Sequence, residues 1–284
     1  MNIIKNDIEL SDFEFNNFYG KSRKLIFNNY KSHLKFPIAI LTGGQPGAGK
    51  SGLVIKAKND FAKFDIIPII LDGDMYRILY PNAKEISVNN PEKYAKITDV
   101  ATGKVMENLI KECILNGYSF IREGTLNSAE IVDQLIESNK SYKIIIRLLA
   151  TCREESILSC FERYIFAKKN KLIARFITIE SHDKRYVQFP KTARIQEKKG
   201  IEIEVYERGK CINLPKLLYN NKIYTNGFND FEEAIEFGRA HSLKLCKNNL
   251  INRIFKIEKE LKNMNTNEEE ILKQLEKFKK QLKL

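Results

Sequence analysis

Residues 36–51 read FPIAILTGGQPGAGKS, an apolar stretch followed by a glycine-rich turn that ends in Lys50 and Ser51. The apolar stretch is long enough for a buried strand, and residues 52–61 have the pattern of a helix. A G-x-x-x-x-G-K-[ST] turn between a strand and a helix is the sequence context of a phosphate-binding loop. The chain is therefore predicted to bind a nucleoside triphosphate.

The residue types in this turn suit a triphosphate. Glycine lets the backbone turn tightly and aim its N–H groups at an anion, and the N-terminus of the following helix adds partial positive charge. Lys50 is expected to reach the β- and γ-phosphates of ATP, and the Ser51 hydroxyl to hold the Mg²⁺ that bridges them. The weaker interpretation is a turn that merely joins a strand to a helix. The predicted ATP-binding residues are Gly44, Gln45, Pro46, Gly47, Ala48, Gly49, Lys50 and Ser51.

Length and composition are those of an ordinary globular protein. The chain has 284 residues, of which 43% are hydrophobic and 30% charged, so it has room for a large α/β domain with a small appendage. No apolar run is long enough to cross a bilayer, and residues 1–7 lack the core of a signal peptide. A cytoplasmic location is therefore expected, and no membrane association.

Cysteines and net charge limit the possible partners. The five cysteines form no C-x-x-C pair and the three histidines are scattered, so reduced thiols are expected and a zinc site is not. The net charge of +12 would suit nucleic acid, an anionic substrate or an acidic protein. Basic and acidic residues are interleaved along the chain, which argues against a nucleic-acid surface.

Strand and helix patterns alternate through most of the chain. This alternation predicts a doubly wound, mostly parallel sheet flanked by helices, followed by an edge hairpin over residues 210–224. Strands are predicted over residues 36–42, 64–71, 118–121, 142–149 and 201–206, and helices over residues 52–61, 91–116, 128–138 and 153–188.

Three segments are predicted. Residues 1–35 form a helical lead-in, residues 36–225 the nucleotide-binding core, and residues 226–284 a helical extension. Two amphipathic helices in the extension, separated by a capping box of Thr266 and Glu269, are expected to form a hairpin. Covering one face of the core is the favoured role for this hairpin, and partner binding is the alternative.

Polar residues at predicted strand ends are the candidates for catalysis, because open α/β sheets present their ligands there. Asp74 is the predicted general base for an acceptor hydroxyl, and Asp72 is expected to hold a Mg²⁺-bound water or to cap a helix. The alternative is that both aspartates only cap and turn the chain. Glu123 and Thr125 suit a hydroxyl-rich substrate, and the arginine pair Arg163 and Arg175 could neutralise charge on the transferring group.

Together these motifs resemble the zeta toxins of bacterial toxin–antitoxin systems. The resemblance rests on the phosphate loop, on residues 72–77 and 123–126, and on Arg163, Arg175 and the His182-Asp183 pair. It implies a P-loop kinase fold over residues 36–225 and phosphorylation by ATP of the 3′-hydroxyl of the sugar in UDP-N-acetylglucosamine. It also implies a small helical antitoxin that blocks the nucleotide site.

The resemblance also assigns roles to single residues. Lys50 and Ser51 would bind ATP and Mg²⁺, Asp74 would be the catalytic base, and Arg163 and Arg175 would contact phosphates. The sugar-nucleotide pocket would be lined by Glu107, Glu123 and Thr125. One difference from the family is Arg122, which stands where an apolar strand residue is usual.

Two other functions fit the same motifs. A P-loop kinase could act on another polar acceptor such as a nucleoside, an antibiotic or a dinucleotide. An NTP-dependent nucleic-acid-binding protein would also use the loop and the net charge, but the sequence has no second ATPase signature clearly placed and no basic tract.

Overall fold

The computed structural model describes residues 10–28, 35–138, 141–209, 215–264 and 268–283. Its strands are β1 (Ile38–Gly43), β2 (Ile69–Asp72), β3 (Phe120–Glu123), β4 (Lys143–Ala150), β5 (Glu202–Glu207) and β6 (Lys216–Asn220). Its helices are α1 (Asp12–Phe27), α2 (Ser51–Ala62), α3 (Gly73–Arg77), α4 (Ala83–Asn89), α5 (Pro91–Asn116), α6 (Glu130–Glu137), α7 (Arg153–Lys169), α8 (Ile179–Lys198), α9 (Phe231–Lys247), α10 (Leu250–Lys262) and α11 (Glu269–Gln281).

The strands form one sheet in the order β2-β3-β1-β4-β5-β6. β6 alone of these strands is antiparallel to its neighbour, so the predicted mostly parallel α/β fold is confirmed. β6 lies at the edge predicted for the hairpin, of which residues 210–214 fall outside the described part of the chain. β2 begins five residues later than predicted, because Phe64 and Ile67 are 73% and 75% exposed and belong to the turn after α2.

β1 lies in the middle of the sheet, which explains its continuous apolar sequence. Ala39 and Leu41 pack into the large core that α5 also contributes to, whereas Ile40 packs with Val54 and Phe61 of α2 on the other face. Both faces of a central parallel strand are buried, so its side chains are apolar on both sides. The strand thus leads from the buried middle of the sheet into the phosphate loop.

The prediction of one helical segment over residues 153–188 is wrong. Two helices, α7 and α8, are separated by an irregular segment from residue 170 to residue 178, and α8 continues past the predicted end to Lys198. Thr178 starts α8 as an N-cap, since its hydroxyl accepts from the Ser181 N–H. Arg175 therefore lies between the helices instead of on one.

The C-terminal helices pack against two different parts of the molecule. α9 lies on β4 and β5, whereas α10 and α11 form an apolar cluster with α7 and with the segment that carries Arg175. In this cluster the ring of Phe176 lies 5.1 Å from that of Phe161, and the Gln274 side chain accepts from the Ile179 N–H at 3.2 Å. The predicted capping box includes Thr266, which lies outside the described residues. The segment boundaries at residues 35 and 225 stay predictions.

Candidate active site

The phosphate loop connects β1 to α2, and its glycines adopt backbone conformations that other residues avoid. Gly47 has φ +76°, and a side chain there would overlap the Ser156 carbonyl and lie 2.9 Å from the Cys160 sulfur. Gly49 has φ +98° and packs against the Arg208 guanidinium. The loop can take this shape next to α7 only because these positions have no Cβ.

The loop is fixed from behind by a buried chain of hydrogen bonds. The Gln45 side chain donates to the Thr151 carbonyl at 2.8 Å and to the Ser156 hydroxyl at 3.0 Å. The same hydroxyl lies 2.8 Å from Nε2 of His182, whose Nδ1 lies 3.0 Å from Asp183. Burial, only partly opposed by Asp183, lowers the pKa of His182 to about 4, so the ring is neutral near pH 7. Gln45 thus uses its side chain to hold the loop.

The Lys50 ammonium forms no direct ion pair with a carboxylate among the described residues. Its ammonium donates to the Gln45 carbonyl at 3.0 Å. Burial lowers the pKa of Lys50 to about 8, although Glu123 and Asp74 favour the charged form. An incoming phosphate would supply the negative charge that this site lacks.

A cleft of about 390 Å³ opens beside the loop at the carboxyl ends of β2 and β3. The structure brings most of the predicted site residues into this cleft, although they come from six separate parts of the chain. The predicted residues that line it are Pro46, Gly47, Lys50, Asp74, Glu107, Glu123, Thr125, Arg163 and Arg175. Gly44, Gln45, Ala48, Gly49 and Ser51 complete the loop outside the cleft lining.

Asp74 is surrounded by arginines. Its carboxylate pairs with Arg175, and it lies 3.8 Å from Arg163 and 3.6 Å from Arg77. Partial burial opposes the charged form of Asp74, but these arginines outweigh it and keep the pKa of the carboxyl below its usual value. The half-exposed carboxylate therefore stays ionised across the physiological range.

Asp72 and Glu123 are neighbours in the sheet. They end β2 and β3 in register, and Asp72 also caps α3 by accepting from the Asp74 N–H at 2.9 Å. Burial and then repulsion by Asp72 raise the pKa of Glu123 to about 6. The turn after Glu123 is held by Thr42, whose hydroxyl accepts from the Gly124 N–H at 3.1 Å. A buried β1 side chain thus sets the position of the predicted substrate-binding turn.

Several cleft residues were not predicted from the sequence. One face of α5 lines the cleft with Asp99, Thr102, Met106 and Ile110, at the three- and four-residue spacing of a single helical face. The sequence shows this spacing, but it does not show which face of α5 lies toward the phosphate loop. Arg208, which lies outside this cleft and follows β5 directly, was also not predicted. It donates to Glu155 at 2.9 Å and lies against Gly49.

A strand order of β2-β3-β1-β4-β5 with a phosphate loop after β1 and acidic residues ending β2 and β3 defines a P-loop kinase fold. The zeta toxin family model matches residues 23–222, and the chain belongs to that family. The resemblance predicted from the motifs is therefore confirmed.

Individual relatives agree with this assignment. Toxin PezT of Streptococcus pneumoniae serotype 4 is 29% identical over 239 residues, which are 81% of this chain and 89% of that protein. Toxin zeta of Streptococcus pyogenes is 24% identical over 208 residues, or 72% of this chain and 71% of that protein. A structure from the characterization of the PezAT chromosomal toxin–antitoxin system of S. pneumoniae superposes with a TM-score of 0.68 at 26% identity, covering 87% of this chain and 99% of that chain.

None of the described helices combines the length and the apolar composition needed to cross a membrane.

Proposed function

We propose that the protein is a toxin kinase that transfers the γ-phosphoryl group of ATP to the 3′-hydroxyl of the sugar in UDP-N-acetylglucosamine. The observation that carries this proposal is the cleft itself, which places Lys50 of the phosphate loop, Asp74 and Glu123 around one space. Phosphoryl transfer needs these parts side by side: a phosphate cradle, a proton acceptor and a polar acceptor site.

Asp74 is the proposed general base. In the structure its carboxylate is paired with Arg175 and lies near Arg163, and such pairing weakens a base. Phosphate oxygens of ATP would compete for both guanidiniums, because arginine binds phosphate as well as it binds carboxylate. Nucleotide binding would then leave Asp74 free to accept the proton of the acceptor hydroxyl, while the arginines neutralise the transferring group.

The chain offers oxygen donors that suit Mg²⁺. Ser51 follows Lys50 and is the first residue of α2, and its hydroxyl is one donor. The Asp72 carboxylate, at the end of β2, lines the cleft and is the other. Both are hard oxygen donors of the type that Mg²⁺ prefers. When bound, Mg²⁺ would neutralise charge on the β- and γ-phosphates of ATP.

Glu107, Glu123 and Thr125 are the proposed acceptor site. They line the cleft next to Asp74 and provide carboxylate and hydroxyl groups for hydrogen bonds to sugar hydroxyls or an acetamide. Family membership supports UDP-N-acetylglucosamine over a nucleoside, an antibiotic or a dinucleotide. Phosphorylation of this precursor would block synthesis of the cell wall in the cytoplasm, and a small helical antitoxin is the proposed partner that controls it.

Mass spectrometry of reactions with ATP, Mg²⁺ and UDP-N-acetylglucosamine tests the proposal. We expect wild type to form a product heavier by one phosphoryl group and Asp74→Asn to form none. Asp65→Asn is the matched control, because Asp65 is exposed, lies outside the cleft and has φ +56°, which asparagine tolerates. ATP consumption without this product would refute the acceptor, and full activity of Asp74→Asn would refute the base.

A further inference from the structure

Arg122 contributes to the cleft a guanidinium that has no ion-pair partner among the described residues. Along β3 the side chains alternate, so Arg122 points to the same face as Phe120, the face covered by α5. Its Nη1 atom lies 2.5 Å from the position that a Cβ on Gly124 would occupy, which places the guanidinium beside the predicted substrate-binding turn. Arg122 lines the same cleft as Glu123 and Thr125.

The other arginines near Asp74 differ from Arg122 in having acidic partners. Arg77 pairs with Asp99 at 2.7 Å, and both Arg163 and Arg175 pair with Asp74. Nε of Arg122 is buried with no hydrogen-bond acceptor among the described residues. Burial lowers the pKa of Arg122, and no described charged group contributes to that shift.

Arg122 is partly buried, and a buried Nε without an acceptor is costly to a folded protein. The presence of such a cation in a binding cleft indicates that a ligand supplies the anion. ATP does not suit this position. Lys50 marks the phosphate-loop side of the cleft, whereas Arg122 lies against Gly124, in the turn that carries the proposed acceptor-site residues Glu123 and Thr125. The anion must therefore belong to the second substrate.

We propose that Arg122 binds a phosphate group of the phosphoryl acceptor and makes the enzyme selective for a phosphorylated sugar over the neutral sugar. This inference rests on the proposed kinase function and names the chemical class of its acceptor. The planar guanidinium matches a phosphate with two parallel hydrogen bonds. Arg122 is thus a specificity-determining residue that acts on the non-reacting part of the substrate.

Calorimetric titration of the full chain, saturated with Mg²⁺ and the non-transferable analogue AMP-PNP, tests this without requiring catalysis. The probes are UDP-N-acetylglucosamine, inorganic pyrophosphate and neutral N-acetylglucosamine. We expect Arg122→Met to bind the two phosphate-containing probes at least about tenfold more weakly than wild type, a loss typical of one buried charged hydrogen-bond pair. Binding of the neutral sugar should be unchanged.

Two further variants separate charge from structure. Arg122→Lys keeps the charge but not the two parallel hydrogen bonds, so it should lie between wild type and Arg122→Met. Lys111→Met removes one exposed positive charge from α5, outside the cleft, and should bind all probes like wild type. Steady-state assays should show a raised KM for the acceptor with a smaller change in kcat.

Other outcomes overturn the inference. Equal affinity of wild type and Arg122→Met for pyrophosphate and for UDP-N-acetylglucosamine would show that Arg122 binds no acceptor phosphate. An equal loss for the charged and neutral probes would assign Arg122 a structural role. If wild type binds these probes through Arg122 but forms no phosphorylated product, the inference stands and the proposed reaction fails.

Discussion

Replacing Lys50 with methionine should make the nucleotide-free protein more stable while removing its response to nucleotide. Burial lowers the pKa of Lys50 from 10.5 to about 8. A lowered lysine pKa means that folding disfavours the charged form, so the charge destabilises the native state below the folded pKa. A shift of one pKa unit corresponds to about 1.36 kcal/mol, so the charge on Lys50 destabilises the native state by about 3 kcal/mol at pH 7.

Part of the stability gained by removing the Lys50 charge is lost again in Lys50→Met. Methionine keeps the apolar stem but cannot donate to the Gln45 carbonyl, and losing that hydrogen bond costs about 1 kcal/mol. The net stabilisation of Lys50→Met is then about 2 kcal/mol, or roughly 4–8 °C in Tm for a domain of this size. The stability advantage of Lys50→Met over wild type should shrink as pH rises from 8 toward 10.5. In this range Lys50 is deprotonated in folded wild type but still protonated in the unfolded chain, so the native state no longer carries the destabilising charge.

Urea unfolding at several pH values, with and without Mg²⁺ and AMP-PNP, measures both effects. Lys56→Met is the matched control, since Lys56 lies on α2 in an ion pair with Asp60 away from the cleft. Wild type should gain stability with nucleotide and Lys50→Met should not. A Lys50→Met protein that is less stable than wild type at pH 7, or a stability difference that does not change with pH, would refute the reasoning.

Three further changes test other parts of the site. Gly47→Ala should weaken AMP-PNP binding at least about tenfold, because the new Cβ overlaps the Ser156 carbonyl; Gly20→Ala, with open space around it, should leave binding unchanged. Glu123→Gln should gain about 2 kcal/mol of unfolding free energy relative to wild type between pH 4 and pH 7, since the pKa of Glu123 is raised from 4.5 to about 6 and wild type therefore loses stability as pH rises through this window; a constant difference in urea unfolding would contradict this. Leu275→Ala should cost about 3 kcal/mol in urea unfolding and also lower kcat, because Leu275 is fully buried in the cluster that supports the segment of Arg175. A loss below about 1 kcal/mol, or unchanged kcat, would show that the cluster does not position Arg175.

The sequence predicted the features that depend on local pattern. The phosphate loop and the parallel fold follow from glycine positions and from alternating apolar segments, because such short-range signals survive without tertiary information. Asp74, Glu123 and Thr125 were found because the ends of parallel strands meet at one edge of a sheet. Their presence in one cleft agrees with that argument, and their roles stay predictions.

Features that depend on tertiary contacts were missed. The sequence predicted Gln45 as part of the ATP-binding loop but not the hydrogen bonds of its side chain, because the partners Thr151 and Ser156 are more than a hundred residues away in the chain. The irregular segment around Arg175 was included in the helix predicted over residues 153–188. Packing of Phe176 against α7 and α11 fixes a different backbone there, as tertiary context commonly overrides propensity.

The arginines around Asp74 also suggest why the proposed base would act only after ATP has bound. Arg77 is buried and tied to the Ala95 carbonyl and to Asp99, so it cannot leave Asp74 when a phosphate arrives. Arg163 is half-exposed on α7, and Arg175 lies on the segment between α7 and α8. We infer that these two arginines exchange the carboxylate for phosphate oxygens, while Arg77 continues to orient Asp74. If the acceptor bound before ATP, the Asp74 carboxylate would still be paired with Arg163 and Arg175. It would then not take the proton of the acceptor hydroxyl.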